Sequence, residues 1–149
     1  MTNLPFGFEK PQDSPGFLLW QATTLWQRQI KKALDPYDLS QAQFVIMAIL
    51  MWSQAQQHDT TQVLIVNWTK LDKMTVSTSL KKLVTLGFVK RIEHHTDTRA
   101  KQVTLTKKGS DMVRKLVPIV ESIDEAFFSK TSMKNQKNLI DTLGTLVTA

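Results

Sequence analysis

The chain of 149 residues contains no cysteine, so disulfides, thiolate zinc sites and sulfur-based redox sensing are excluded. Histidine is scarce, with His58, His94 and His95 the only three. His94 and His95 are neighbours in a strand-like stretch, where successive side chains point to opposite faces, so they do not readily share a metal ion. No metal or other cofactor is therefore expected. The longest apolar run, Phe44 to Trp52, has 9 residues, about half of what a membrane span needs. The N-terminal stretch MTNLPFGFEKPQDSPG has no basic segment followed by an apolar one, and it reads as an extended arm over residues 1–16 rather than an export signal. A soluble, cytoplasmic protein is expected. Catalytic constellations are missing as well: there is no nucleophile beside a base and no phosphate-cradling glycine loop. Glu121, Asp124 and Glu125 read as a solvated helix face. An enzyme is not expected.

What is present is positive charge, and it is concentrated. Residues 70–115 hold 12 of the 19 Lys and Arg residues but only 4 of the 13 Asp and Glu. That segment carries a net +8 (12 minus 4), while the rest of the chain carries −2 (7 minus 9). A protein needing only solubility would spread its charge, whereas a basic stripe on a groove-sized helix suits counterion release from DNA.

The order of local signals within that segment is specific. In KMTVSTSLKKLVTL the apolar residues Val76, Leu80 and Leu83 repeat at helical spacing, with Thr75, Thr78, Lys81 and Lys82 on the other side. Asp72 is placed to cap this helix and Gly87 to end it. Phe88 to Glu93 and Gln102 to Thr106 then read as two strands joined by the polar tip HHTDTRAK. Arg99 in that tip is the side chain best shaped to enter a minor groove of negative potential. The preceding QVLIVNWTKL could be a strand by propensity, but the capped helix that follows makes it the first arm of a helix-turn-helix. A short strand before it could pair at the sheet edge. The fold class expected is mainly α with a small β-hairpin wing.

Outside residues 40–106 the chain forms helices with unsatisfied apolar stripes. Leu18, Ala22, Leu25, Ile30 and Ala33 recur along Phe17–Leu34, which Asp35-Pro36 ends. Leu39-Ser40-Gln41-Ala42-Gln43 matches a capping box opening a second helix, apolar nearly all round and hence central. Met112, Leu116, Val120, Ile123 and Phe127 line a long helix containing Pro118. Leu139, Ile140, Leu143, Leu146 and Val147 line the last helix. A winged module of roughly 70 residues cannot cover all of these. Residues 17–39 and 107–149 are therefore read as dimerisation helices around a DNA-binding module at 40–106, within a single domain per subunit.

The wing sequence Asp97-Thr98-Arg99, then Val103-Thr104-Leu105-Thr106 and Gly109, resembles the D-x-R, V-x-L-T, x-x-G pattern of the MarR family of winged-helix regulators. The segments PGFLLW and LSQAQFVIMAIL are also similar to one branch of it, whereas VLIVNW stands where relatives commonly show a Leu-Ala pair. The resemblance implies a homodimer whose recognition helices enter successive major grooves of a pseudo-palindrome in double-stranded DNA, with wings in the flanking minor grooves. It implies that Asp97 orients Arg99, that Thr75 and Thr78 face bases and that Lys81 and Lys82 touch phosphate. Lys73 and Lys101 complete the expected DNA-binding set. It also implies a small aromatic or amphipathic effector and, most simply, a repressor. Trp20, Trp26, Met47, Met51 and Trp52 are the candidate effector lining, though the same aromatics could equally be core, since Trp20 and Trp26 lie on different sides of their helix. Two other readings stay open: a winged-helix module that binds protein, and a DNA-binding regulator without an effector.

Overall fold

A computed structural model describes residues 4–93 and 101–148. A 3-10 turn at Pro11–Asp13 leads into α1 (Pro15–Leu34), which starts two residues before the expected Phe17 because Ser14 caps it, its Oγ accepting the Phe17 N–H at 3.2 Å. Pro15 occupies the first helical position, where a missing N–H costs nothing. A 3-10 turn at Asp35–Tyr37 breaks the chain direction, and Asp38 takes a left-handed conformation (φ 55°) before α2 (Gln41–Ala55). The capping box is reciprocal: the Gln43 N–H donates to Ser40 Oγ at 3.1 Å and the Ser40 N–H donates to Gln43 Oε1 at 2.9 Å.

The segment QVLIVNWT is helix α3 (Gln62–Thr69), capped by Thr61. Lys70, at φ 62°, turns the chain into α4 (Lys73–Thr85). Gly87, at φ 81°, then releases it into β1 (Val89–Glu93), which pairs antiparallel with β2 (Lys101–Leu105) from Val89 opposite Leu105 to Glu93 opposite Lys101. Thr61 forms an isolated bridge to Gln102, and the Val103 N–H donates to the Thr60 carbonyl at 2.7 Å, so a short extended segment does extend the sheet edge before α3. Helix α5 (Lys107–Phe128) runs through Pro118 without a break, and α6 (Met133–Val147) closes the chain.

The core is centred on α2, whose Ile46, Met47 and Leu50 are fully buried among Ile65 of α3, Val76, Leu80 and Leu83 of α4, and Val113 and Leu116 of α5. Only the C-terminal half of α1 joins it, through Ile30 and Leu34. Leu18 and Leu25 are exposed, so the N-terminal part of the α1 stripe is left uncovered within one subunit. Helix α6 buries no residue at all, and Ile140 and Leu146 are each 68% exposed.

Gly109 fixes how α5 leaves the wing. Its N–H donates to Thr106 Oγ1 at 3.1 Å, while the Thr106 hydroxyl donates to the Gly87 carbonyl at 2.6 Å. A Cβ at Gly109 would run into the Phe88 carbonyl oxygen. The x-x-G spacing after V-x-L-T is thus a steric requirement of the junction between strand and helix.

Candidate nucleic-acid interface

Helix α4 is amphipathic as its spacing demands, with Val76, Ser79, Leu80 and Leu83 buried. Lys73, Thr78 and Lys81 are exposed on the outer side. Thr75 and Lys82 differ from the other expected contacts: both are half-buried on the flanks of the helix. Asp72 holds Thr75, its Oδ1 accepting the Thr75 N–H at 2.7 Å and its Oδ2 the Thr75 hydroxyl at 2.8 Å. These two bonds hold the Asp72 carboxyl below its ordinary pKa, the backbone bond contributing most. Lys82 pairs with Asp38 at 3.6 Å, tying the last turn of α4 to the turn between α1 and α2.

The wing braces the recognition helix from behind. Arg91 of β1 is half-buried and its Nη2 donates to the Ser77 carbonyl at 3.4 Å. This contact was not singled out from sequence, where Arg91 reads only as one more charge in a basic strand. The base of the wing is in turn fastened to the end of α2 and to the loop that follows it. Gln102 Nε2 donates to Asp59 Oδ1 at 2.9 Å and the Leu105 N–H donates to Gln54 Oε1 at 3.0 Å. Lys108 Nζ donates to the Leu86 carbonyl at 2.8 Å, satisfying a free acceptor at the end of α4. Asp97 and Arg99 lie outside the described residues, as does the side chain of Lys101.

The five residues considered as an effector lining have different surroundings. Met47 is in the core, and Met51 is half-buried beside it. Trp20 is 70% exposed on α1. Trp26 donates its indole N–H to Asp124 Oδ1 at 2.7 Å, clasping α1 to α5. Trp52 packs against Trp68 with ring centroids 4.9 Å apart and the planes tilted by 48°, a partner that helical spacing within one segment does not reveal. A cavity of about 450 Å³ lies elsewhere, lined by Gln27, Lys31, Asp35, Asp38, Ser40 and Lys82 among others. Among the described residues no three metal-ligating side chains gather, and no helix is long and apolar enough to cross a membrane.

The sequence profile of the ArnR1-like winged-helix domain matches residues 35–122. The chain is 39% identical over 127 residues to the uncharacterized HTH-type transcriptional regulator YdcH of Bacillus subtilis, spanning 85% of this chain and 86% of that protein. Its fold superposes on a mutant MarR of Escherichia coli complexed with operator DNA at a TM-score of 0.79, with 20% identity and 89% and 93% of the two chains covered. The chain belongs to the MarR family of winged-helix regulators. Another structure of this fold, Bordetella bronchiseptica BpsR, solved in a study of how 6-hydroxynicotinic acid regulates its DNA binding, gives a TM-score of 0.84 at 24% identity, with 98% and 99% coverage. As a MarR-family protein the chain is a DNA-binding transcriptional regulator and not an enzyme.

Proposed function

We propose that this MarR-family chain acts as a homodimer that binds a pseudo-palindromic operator, with one α4 in each of two successive major grooves and each wing in the adjacent minor groove. The observation that carries this reading is the two-sidedness of α4: Val76, Leu80 and Leu83 are locked in the core while Lys73, Thr78 and Lys81 face solvent. A helix so held presents a rigid polar and cationic face of the width that a major groove admits. Lys73, Lys81 and Lys101 contact phosphate, as does Lys82 when its pair with Asp38 opens. Thr78 faces bases, Thr75 serves them from the flank, and Arg99, oriented by Asp97, reaches the minor groove.

Dimerisation rests on the helices at the chain ends. Phe17, Leu18, Leu19 and Leu25 of α1 and Ile140, Leu146 and Val147 of α6 are exposed in one subunit, and large apolar side chains gathered on two helices in this way suit an interaction surface. A second copy covering it isologously supplies the two-fold axis that a palindrome requires. The chain acts as a repressor in the cytoplasm, released by a small aromatic or amphipathic effector. Regulation of BpsR DNA binding by 6-hydroxynicotinic acid supports this last part by analogy. The effector must bind the DNA-competent and DNA-incompetent dimers with different affinity, since equal affinity shifts nothing. Retention of genomic fragments by the purified chain tests the reading: a set of related inverted repeats upstream of genes is expected, and random retention would refute sequence-specific regulation.

A further inference from the structure

One of the side chains open to solvent on the outer face of α4 is apolar. Met74 is 78% exposed. At 3.6 residues per turn, Met74, Thr78, Lys81 and Thr85 form one stripe opposite Val76, Leu80 and Leu83. The hydroxyls on and beside this stripe are not all available: Thr75 gives its hydrogen to Asp72 at 2.8 Å and Thr85 gives its own to the Lys81 carbonyl at 3.1 Å. The first turn of the stripe therefore offers a thioether and a methyl group, with the ammonium groups of Lys73 and Lys81 exposed around it.

Building on the proposed operator-binding role, we propose that Met74 is a specificity-determining residue and that it closes over thymine 5-methyl groups in each operator half-site. The major groove presents hydrogen-bonding edges for every base pair but only one apolar group, the thymine methyl. Lys73 projects to one side of the stripe and Lys81 stands on it two turns further along, so their long side chains can reach the negative backbones that border the groove while Met74 faces the bases near the N-terminal end of the helix that reads them. An unbranched, polarizable side chain with three rotatable bonds adapts to such a surface, and the contact gives water-exposed apolar area somewhere to be buried. The operator accordingly carries thymines at positions related by the dyad.

Uracil substitution isolates the interaction, because it removes the methyl and keeps every hydrogen-bonding group. The full chain is measured on its preferred duplex with each thymine replaced in turn by uracil, for the native protein, Met74→Ala and Met74→Leu. Burial of one methyl predicts a loss of about fourfold at one half-site and about fifteenfold when both are changed. Met74→Ala is expected to lose operator affinity to a similar extent and to become indifferent to uracil at those positions, while its binding to an unrelated duplex is unchanged. Met74→Leu retains the sensitivity. A Met74→Ala profile that matches the native one overturns the assignment of Met74 alone. The absence of any preferred duplex overturns the operator-binding role together with it.

Discussion

Replacing Gly109 by alanine sets two effects against each other, and the structure decides which prevails. Gly109 lies in α5, where an exchange to alanine would ordinarily stabilise by about 1 kcal/mol through helix propensity. Here the new methyl meets the Phe88 carbonyl oxygen, with Leu105 Cδ2 a further 3.1 Å neighbour. Backbone on one side and a buried side chain on the other leave little room to yield, so the start of α5 must shift outward. That lengthens the bond from the Thr106 N–H to the Phe88 carbonyl, now 3.0 Å, and the one from the Thr106 hydroxyl to the Gly87 carbonyl, now 2.6 Å. Two weakened hydrogen bonds at about 1 kcal/mol each and overpacking of about 1–3 kcal/mol outweigh the propensity gain. A net loss of about 2–4 kcal/mol follows, or a fall in Tm on the order of 10 °C for a chain of this size. Chemical denaturation followed by circular dichroism, at one fixed protein concentration because dimers unfold in a concentration-dependent way, reads the difference. Gly16→Ala is the control, since its nearest neighbour would be Ser14 Oγ at 3.8 Å; it should be neutral or slightly stabilising. If Gly109→Ala unfolds at or above the native midpoint, the steric account of the junction between wing and helix is wrong.

Asp72 has a lowered pKa in the folded chain, so its contribution to capping α4 is full above the ordinary aspartate pKa and disappears as pH falls through the lowered value. Amide exchange at Thr75 should accelerate in acid relative to the rest of α4, and Asp72→Asn should flatten that dependence; a Thr75 amide indifferent to acid would remove the cap from the account. Deleting residues 130–149 takes away Leu139, Ile140, Leu143, Leu146 and Val147, and sedimentation should then find monomer or aggregate with most operator affinity gone. A folded, operator-binding dimer of the truncated chain would exclude α6 from dimerisation. Arg99→Ala should cost about 1–3 kcal/mol of DNA binding with thermal stability unchanged, and Asp97→Ala should cost less, as it acts only by orienting Arg99. The opposite ranking in a binding titration would disprove the orienting role.

Most of the fold was legible because its signals are local. Ser40 and Gln43 announced α2, Asp72 announced α4, and Gly87 marked the exit to β1; each depends on backbone groups within a few residues, and each is found as expected. The start of α1 was misplaced although Ser14 and Pro15 carry a recognisable start signal. Periodicity alone does not divide the α1 stripe, in which Ile30 is buried in the core while Leu18 and Leu25 face outward. Hydrophobic spacing shows that a stripe wants covering but not whether the same subunit covers it. Side-chain roles proved the least legible. Thr75 stands on the polar side of a helical projection, but the N-cap captures its hydroxyl, and Lys82 is drawn to Asp38 from another segment. Met74 escaped notice for the converse reason: an apolar residue amid threonines and lysines reads as noise until its exposure is known. The tryptophans show the same limit, since Trp26 is committed to Asp124 and Trp52 to Trp68 by contacts that join distant parts of the chain.

The central claim is that this MarR-family dimer reads a DNA sequence through α4, using charge to approach and shape to choose. The affinity for a selected operator and for a scrambled duplex of the same length, measured against salt, tests it most directly. The account predicts that both affinities fall steeply between roughly 50 and 200 mM salt, by about 10³ or more if six or so phosphates are contacted per dimer, with the operator remaining the tighter of the two throughout. Affinity that is flat in salt, or equal for the two duplexes, would contradict it.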